Sequence, residues 1–375
     1  MRSKANLSAP SSGQAYGRFG AAYRMLKEAI EARAFPGCAF GVLAGGQVAL
    51  QGALGRFTYE DDSLPVTAET VYDVASLTKV VAATAAAMLL VQRRQVDLDL
   101  PLGELLPGFV ADRAKGDSAH QVKLRHLLAH SSGLPAYVEF FRTVTTPEGL
   151  LSACMALPLQ AKPGVRAEYS DPGFILLGKA LEMAMGEYFQ VWLQHEVFEP
   201  LGMMATGFCP DPAARSAIPP TEEDTTFRHC RIQGEVQDEN AWVLKGVAGH
   251  AGLFSNVPNL LRFTGALLSA GMRDASGQGA DLFDPATLEI FARRQGPEGS
   301  SRALGWDTPS ENSSSGRRFG PRSIGHLGYS GCSLWIDLDA AVAVVLLTNR
   351  TWPDRQSQLI RAVRPAFHDA VREAL

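Results

Sequence analysis

The stretch Val80 to Val91 is apolar and rich in alanine, with Thr84 as its one polar residue. Such a run is best accommodated as a helix buried on all sides, and it is too short to span a bilayer, so the rest of the chain must build a core around it. Immediately ahead stands Ser76-Leu77-Thr78-Lys79. A hydroxyl and an amine three residues apart share one helix face and can touch. Serine alone is a poor nucleophile, and a neighbouring amine that has lost its proton activates it. Ser76 is expected in the first turn, where free N–H groups and the helix dipole favour a developing oxyanion. The spacing suggests covalent acyl transfer. An isolated S-x-x-K is more often a serine near a helix start with a surface lysine one turn on, so the company the motif keeps decides.

With 375 residues, 46% of them hydrophobic, the chain can bury a large core as one compound domain or two closely packed ones. Lys+Arg 35 against Asp+Glu 39 leaves a net charge of −4. That balance offers no basic stripe for nucleic acid. Met1 to Gly20 is polar and lacks the apolar segment of a signal peptide, and no membrane association is expected. Cys38, Cys154, Cys209, Cys230 and Cys332 form no C-x-x-C pair; free thiols in a reducing, cytoplasmic compartment fit them. His126 and His130 could share a helix face, but Leu127 stands where H-E-x-x-H needs Glu, so they read as structural histidines at a helix end. No metal and no organic cofactor is expected.

The chain is divided here into a polar N-terminal segment, 1–20, and a catalytic domain, 21–375. Tyr16 to Ala34 reads as an amphipathic helix ended by Phe35-Pro36-Gly37. Cys38–Leu43 and Gln47–Gly52 around Gly45-Gly46 signal a β-hairpin, and a short strand is expected at Val71–Val74. Helical signals then dominate: Leu124–Ala129, Pro147–Met155, Gly173–Met185, Phe189–Val197 and Asn259–Ala270. Asp211 to Asp238 looks like a surface excursion, and Ala275–Ala280 and Pro297–Arg318 like loops. Ser323–His326, Ser333–Asp337 and Ala341–Thr348 read as strands, with a terminal helix over Gln356–Ala374. The implied class is α+β: an antiparallel sheet built from both termini (about 21–75 and 300–375) and flanked by helices, with a mainly helical region inserted (about 76–299).

Further segments accompany Ser76 and Lys79. Tyr169-Ser170-Asp171 follows Lys162-Pro163-Gly164; Gly249-His250-Ala251-Gly252 forms a glycine-rich turn; Gly305-Trp306 precedes the last strands; His326-Leu327-Gly328-Tyr329-Ser330-Gly331 lies on one of them. With His126-Leu127-Leu128-Ala129-His130-Ser131-Ser132-Gly133-Leu134 and Pro200-Leu201-Gly202-Met203, this ordered set resembles the serine β-lactamase and penicillin-binding-protein-like hydrolases, more closely their class C, DD-peptidase and family VIII esterase branch, from about Phe35 to Arg350. The resemblance implies a DD-peptidase/β-lactamase-like fold and a set of roles. Ser76 would be the nucleophile, Lys79 its proton acceptor and Tyr169 the relay to the leaving group. His326 and Gly328 would form the third motif, H-x-G where many relatives have K-T-G, and the N–H groups of Ser76 and Tyr329 would form the oxyanion hole. Burial of Lys79 on an apolar helix would lower its pKa and free its lone pair. His250 reads as structural or supporting, and Trp306 as a packing residue near the cleft.

Two departures from the pattern matter. Asp171 stands in a substrate-binding position where the family usually has Asn; an ionised Asp only accepts hydrogen bonds, and beside Lys79 it would stabilise the ammonium. His326 in place of Lys carries only fractional charge near neutral pH and weakens the case for a dedicated β-lactamase. Pro220–Asp224 and Gly234–Ala241 resemble a signature of a subgroup that includes amidases of cell-wall recycling, or are simply a solvated acidic excursion. The leading function is a serine hydrolase forming an acyl-enzyme on Ser76 and cleaving small esters or amides. Its alternatives are an amidase or D-Ala-D-Ala carboxypeptidase acting on muropeptides, and a non-catalytic ligand-binding module. Oligomeric state stays open.

Overall fold

The computed structural model describes residues 17–271 and 282–375; the readings made at residues 1–16 and at Ala275–Ala280 lie outside them. Gly45 and Gly46 both adopt positive φ (56° and 77°), the paired left-handed geometry that closes a two-residue hairpin between Gly37–Ala44 and Gln47–Gly55. Gly37–Ala44 then pairs with Val342–Thr348, which pairs with Ser333–Asp337, which pairs with Ser323–Leu327. The result is a five-stranded antiparallel sheet assembled from both ends of the chain.

Alternation along Val342–Thr348 shows how the sheet is used. Val342, Val344 and Leu346 pack towards the terminal helices Gly20–Glu31 and Ile360–Glu373, together with Phe40, Trp335 and Phe367. Ala343, Val345 and Leu347 face the other way, into the large core shared with the inserted helices. The sheet is therefore buried on both faces. Val257–Gly271 lies on the inner face, and Gly41 has no side chain because Val257 occupies that space.

The alanine-rich run forms the centre of the molecule. Ala75–Leu77 is a 3₁₀ turn, Lys79–Thr84 a π-helical turn and Ala85–Gln92 a regular α-helix. Ala75–Gln92 is long and apolar enough to cross a membrane by composition, but 83% of it is buried inside the fold, as befits a core helix. Ser76 thus sits just ahead of the regular helix rather than in its first α-turn. The remaining helices agree closely with their expected ranges, as in Pro147–Met155 and Asp171–Met185.

Residues 211–217 are largely exposed, as a surface excursion would be, but much of 218–238 is more buried than its composition suggests. Glu222–Asp224 and Cys230–Ile232 pair as a small ribbon, and Asp224 and Gln237 are buried. Arg228 donates to the carbonyls of Val236 (2.7 Å) and Gln237 (2.6 Å), drawing the acidic segment inward. Buried backbone acceptors explain the inward course; hydropathy alone does not reveal them.

Helix Asp171–Met185 meets the glycine-rich turn at a contact that only glycine allows. A Cβ on Gly178 would lie 2.8 Å from the Gly249 backbone. Gly178→Val is expected to destabilise the protein by about 1–3 kcal/mol through overpacking, read as a lower thermal midpoint, because residues 249–250 must shift.

Candidate active site

Ser76 is held in an unusual turn. Ala75 has φ 49°, a left-handed conformation that costs energy for a residue with a Cβ. Buried Asp73 stabilises it: Oδ1 accepts from the Ala75 N–H (2.8 Å) and Oδ2 from the Gln237 N–H (2.8 Å). Thr78 Oγ1 donates to the Ala75 carbonyl (2.6 Å) and accepts from the Leu253 N–H (3.1 Å), tying the turn to strand Leu253–Ser255. Burial raises the Asp73 carboxyl to about 6 despite these two N–H donors.

Lys79 has no solvent exposure. Its Nζ donates to Ser76 Oγ (3.0 Å), to Asp171 Oδ1 (2.7 Å) and to the His250 carbonyl (3.0 Å). Burial is the largest single influence and depresses its pKa, yet Asp171 and Tyr169 outweigh it and hold the amine above its ordinary value. The expectation that burial frees the lysine lone pair is therefore corrected: in this geometry Lys79 is an ammonium with all three N–H groups spent. Asp171 lies beside Lys79, as its place in the motif allows, and its carboxylate is an ion-pair partner of that lysine. It sits at the first position of a helix whose cap is Ser170, the Oγ of which accepts from Gly173 N–H (3.0 Å) and donates to the Pro135 carbonyl (2.7 Å).

Tyr169 completes the cluster. Lys79 Nζ lies 4.9 Å from its ring centroid, and its phenol is in hydrogen-bonding reach of both Lys79 and Ser76. Burial raises the phenol above its usual range against the pull of Lys79. Ser76 and Tyr169 are half-buried, so a substrate can reach them. His130 stacks between Tyr169 (4.6 Å) and Phe174 (4.8 Å). It stands just past the end of helix Leu124–Leu128, where a structural histidine is expected, and its Nδ1 accepts from the Ser170 N–H (3.0 Å) beside the site.

The sheet supplies the opposite side. His326 is buried, 6.0 Å from Tyr169 between ring centroids, and its Nδ1–H donates to the Leu327 carbonyl (2.8 Å). Burial, with Lys79 and Arg302 nearby, pushes its pKa well below the ordinary imidazole value, so it is neutral. Gly328 packs against the Val74 carbonyl, where any side chain would collide. Arg364 donates to the carbonyls of Gly328 (2.5 Å), Gly331 (3.1 Å) and Cys332 (2.9 Å), and Ser330 Oγ donates to the Asp73 carbonyl (2.8 Å). The 328–332 turn is thereby fixed alongside the Ser76 turn. Among the described residues, neither the Ser76 nor the Tyr329 backbone N–H has a hydrogen-bond partner. The Tyr329 side chain is half exposed, with the Arg350 guanidinium 4.4 Å from its ring centroid.

Three contributors carry no signal of their own in the sequence. His250 acts through its carbonyl, which any residue type offers; its imidazole is engaged by Asp238 (2.9 Å), whose carboxyl resists burial and is held down to about 2 with His250 as partner. Asp73 precedes the nucleophile by three residues without a motif. Arg302 lies 5.4 Å from the Tyr169 ring centroid at a cleft of about 430 Å³ formed by Val165–Tyr169 and Pro297–Arg302; its guanidinium makes no hydrogen bond or ion pair among the described residues. Trp306 is fully buried behind the cleft. A larger recess of about 790 Å³, lined by Phe57, Leu64, Met204 and Phe208 among others, includes none of the site residues. No His/Cys/Asp/Glu cluster with metal-holding geometry occurs among the described residues.

Known proteins show the same arrangement of chain. The family model described as Beta-lactamase matches residues 23–366. A curated relative from Salmonella typhimurium, named "Putative D-alanyl-D-alanine carboxypeptidase", is 30% identical over 346 residues, covering 82% of this chain and 77% of its own. Among solved structures, EstCE1, described as a hydrolase with promiscuous acyltransferase activity, superposes with a TM-score of 0.71 at 22% identity, covering 93% of this chain and 99% of the other. A penicillin-binding protein homologue from Caulobacter crescentus does so with a TM-score of 0.72 at 18% identity, covering 96% and 98%. These structural likenesses extend to the fold.

Lys79→Met should lower the acylation rate by about 10²–10⁴-fold, measured by stopped-flow release of p-nitrophenol, because the serine loses its proton acceptor. The same change leaves Asp171 unpaired, so the thermal midpoint should fall too.

Proposed function

This chain belongs to the Beta-lactamase family and is a serine hydrolase; from that premise we propose that it cleaves small esters and amides through an acyl-enzyme on Ser76. The observation that carries this reading is the 3.0 Å contact between Lys79 Nζ and a half-buried Ser76 Oγ, with the Tyr169 phenol beside both. Once Lys79 has given up one of its own protons, Ser76 Oγ attacks the carbonyl carbon and its proton passes to the Lys79 amine. The unpartnered N–H groups of Ser76 and Tyr329 receive the oxyanion. The proton reaches the leaving group through Tyr169, and water repeats the sequence to release the acid.

Substrates bearing a carboxylate suit the cleft best. His326 is neutral and cannot clamp an anion, whereas Arg302 presents an unspent guanidinium beside Tyr169. A D-alanyl-D-alanine peptide, named for the Salmonella relative, is one such substrate and a muropeptide another. A cytosolic setting is supported by five free cysteines, two of them exposed.

Exposure to a fluorophosphonate should add one adduct, mapped by mass spectrometry to Ser76 and absent from Ser76→Ala; labelling that persists in the variant removes the reading. Arg302→Ala should raise KM roughly 10-fold or more for a p-nitrophenyl ester with a terminal carboxylate, while leaving KM for p-nitrophenyl acetate within about twofold.

A further inference from the structure

Resting on the acyl-enzyme reading, we propose that Asp171 holds the proton that Lys79 must shed before Lys79 can act as the base. The argument starts from valence. An ammonium has three N–H donors and no lone pair. Lys79 spends all three, on Ser76 Oγ, Asp171 Oδ1 and the His250 carbonyl. A lysine arranged in this way cannot accept the Ser76 proton until one of its own leaves. The His250 carbonyl is not basic, and Ser76 is the group to be deprotonated. Asp171 Oδ1, at 2.7 Å, is the remaining acceptor.

The surroundings offer no rival. Tyr169, on the segment ahead of the helix, and Tyr137, on the facing loop, both have raised phenol pKa values and stay protonated. His130 and His326 are buried and depressed, with Lys79 among the causes. Asp238 is engaged by the His250 imidazole and by the Ala241 N–H (2.7 Å). Arg302 is a further cation facing the site.

The proton inventory balances. At rest the pair is Lys79 ammonium and Asp171 carboxylate. A proton moves from Nζ to Oδ1, giving a neutral amine and a carboxylic acid with no change in net charge. Ser76 Oγ then forms its bond to the carbonyl carbon, the O–H bond breaks and that proton moves to Nζ. Nζ is again an ammonium, Asp171 remains neutral, and the oxyanion carries the negative charge. Collapse expels the leaving group, which takes its proton from Nζ through Tyr169. The Asp171 proton returns to Nζ and restores the resting pair. Both tautomers of the pair have the same charge, so the active one stays available across neutral pH.

The opposing idea is that Asp171 merely locks Lys79 in its charged form. The two predict opposite signs. If Asp171 holds the proton, wild-type kcat/KM for p-nitrophenyl acetate is flat through neutral pH, with no acid limb there. Asp171→Asn then forces Lys79 to release its proton to solvent. An acid limb enters the neutral range, and kcat/KM at pH 7 drops about 10-fold or more. If Asp171 is only a lock, the wild type has its acid limb above roughly pH 8, and Asp171→Asn lowers the limb and raises activity at pH 7; either result overturns the proposal. The wild-type profile alone decides if the variant fails to fold. Fluorophosphonate labelling of wild-type Ser76 is run alongside: labelling with the lock-type profile removes this inference and leaves the hydrolase, whereas no labelling of Ser76 removes both.

Discussion

A charged amine with no access to water needs a full set of acceptors, and Lys79 takes one from its own turn, Ser76, and two from distant stretches of chain, Asp171 and His250. Leaving any one unmet inside the core would cost on the order of 1–3 kcal/mol, and leaving the charge unpaired would cost more. The start of the alanine-rich helix, the start of Asp171–Met185 and the glycine-rich turn must therefore arrive together. Their meeting also places the reacting hydroxyl. Gly178 and Gly249 are part of the same requirement, since their backbones touch so that the His250 carbonyl can reach Nζ.

Outward from that ammonium, support runs through buried carboxylates and guanidinium groups. Asp224 anchors Arg228, with their charged atoms 3.4 Å apart. Arg228 fixes the Gln237 carbonyl, the Gln237 N–H meets Asp73, and Asp73 clamps the left-handed residue before the nucleophile. On the other side Arg364 gathers three carbonyls of the 328–332 turn. Two rigid arms thus converge on the N–H groups of Ser76 and Tyr329. Holding donors stationary before charge develops is what makes such a site effective, because nothing has to reorganise during the reaction.

The fold was readable from the sequence to within a few residues where periodicity was strong. Ser333–Asp337 and Pro147–Met155 match their expected bounds, and the sheet from both termini follows from strands at each end with helices between. The exposed 211–217 stretch follows from composition, but the inward course of 218–238 does not; Asp224 and Arg228 are buried as a pair, and pairing is invisible to composition. In the site, Ser76, Lys79, Tyr169 and His326 were legible because side-chain chemistry leaves a spacing. The His250 carbonyl was not, since a backbone atom has no residue signature. Sequence offers two opposed influences on Lys79, burial and the Asp171 carboxylate, and does not rank them; with the carboxylate at 2.7 Å, Asp171 and Tyr169 together outweigh desolvation.

Counting charge around the nucleophile shows what the two departures from the family pattern do together. Asp171 cancels Lys79, so the nucleophile's own base projects no net field towards a substrate. His326, neutral in its buried position, adds none from the sheet. A site built with a lysine in the third motif would carry a fixed cation there; this one carries its unspent cation at Arg302, on the loop beside Tyr169. Under the proposed reading, an anionic substrate group would be drawn to the rim of the cleft rather than to its sheet wall. That placement would separate recognition from proton transfer, because Arg302 makes no hydrogen bond or ion pair with Lys79 or Asp171. In a low-dielectric pocket the amine–carboxylic acid form of the pair is penalised less than the ion pair, which narrows the gap that a proton must cross between Nζ and Oδ1.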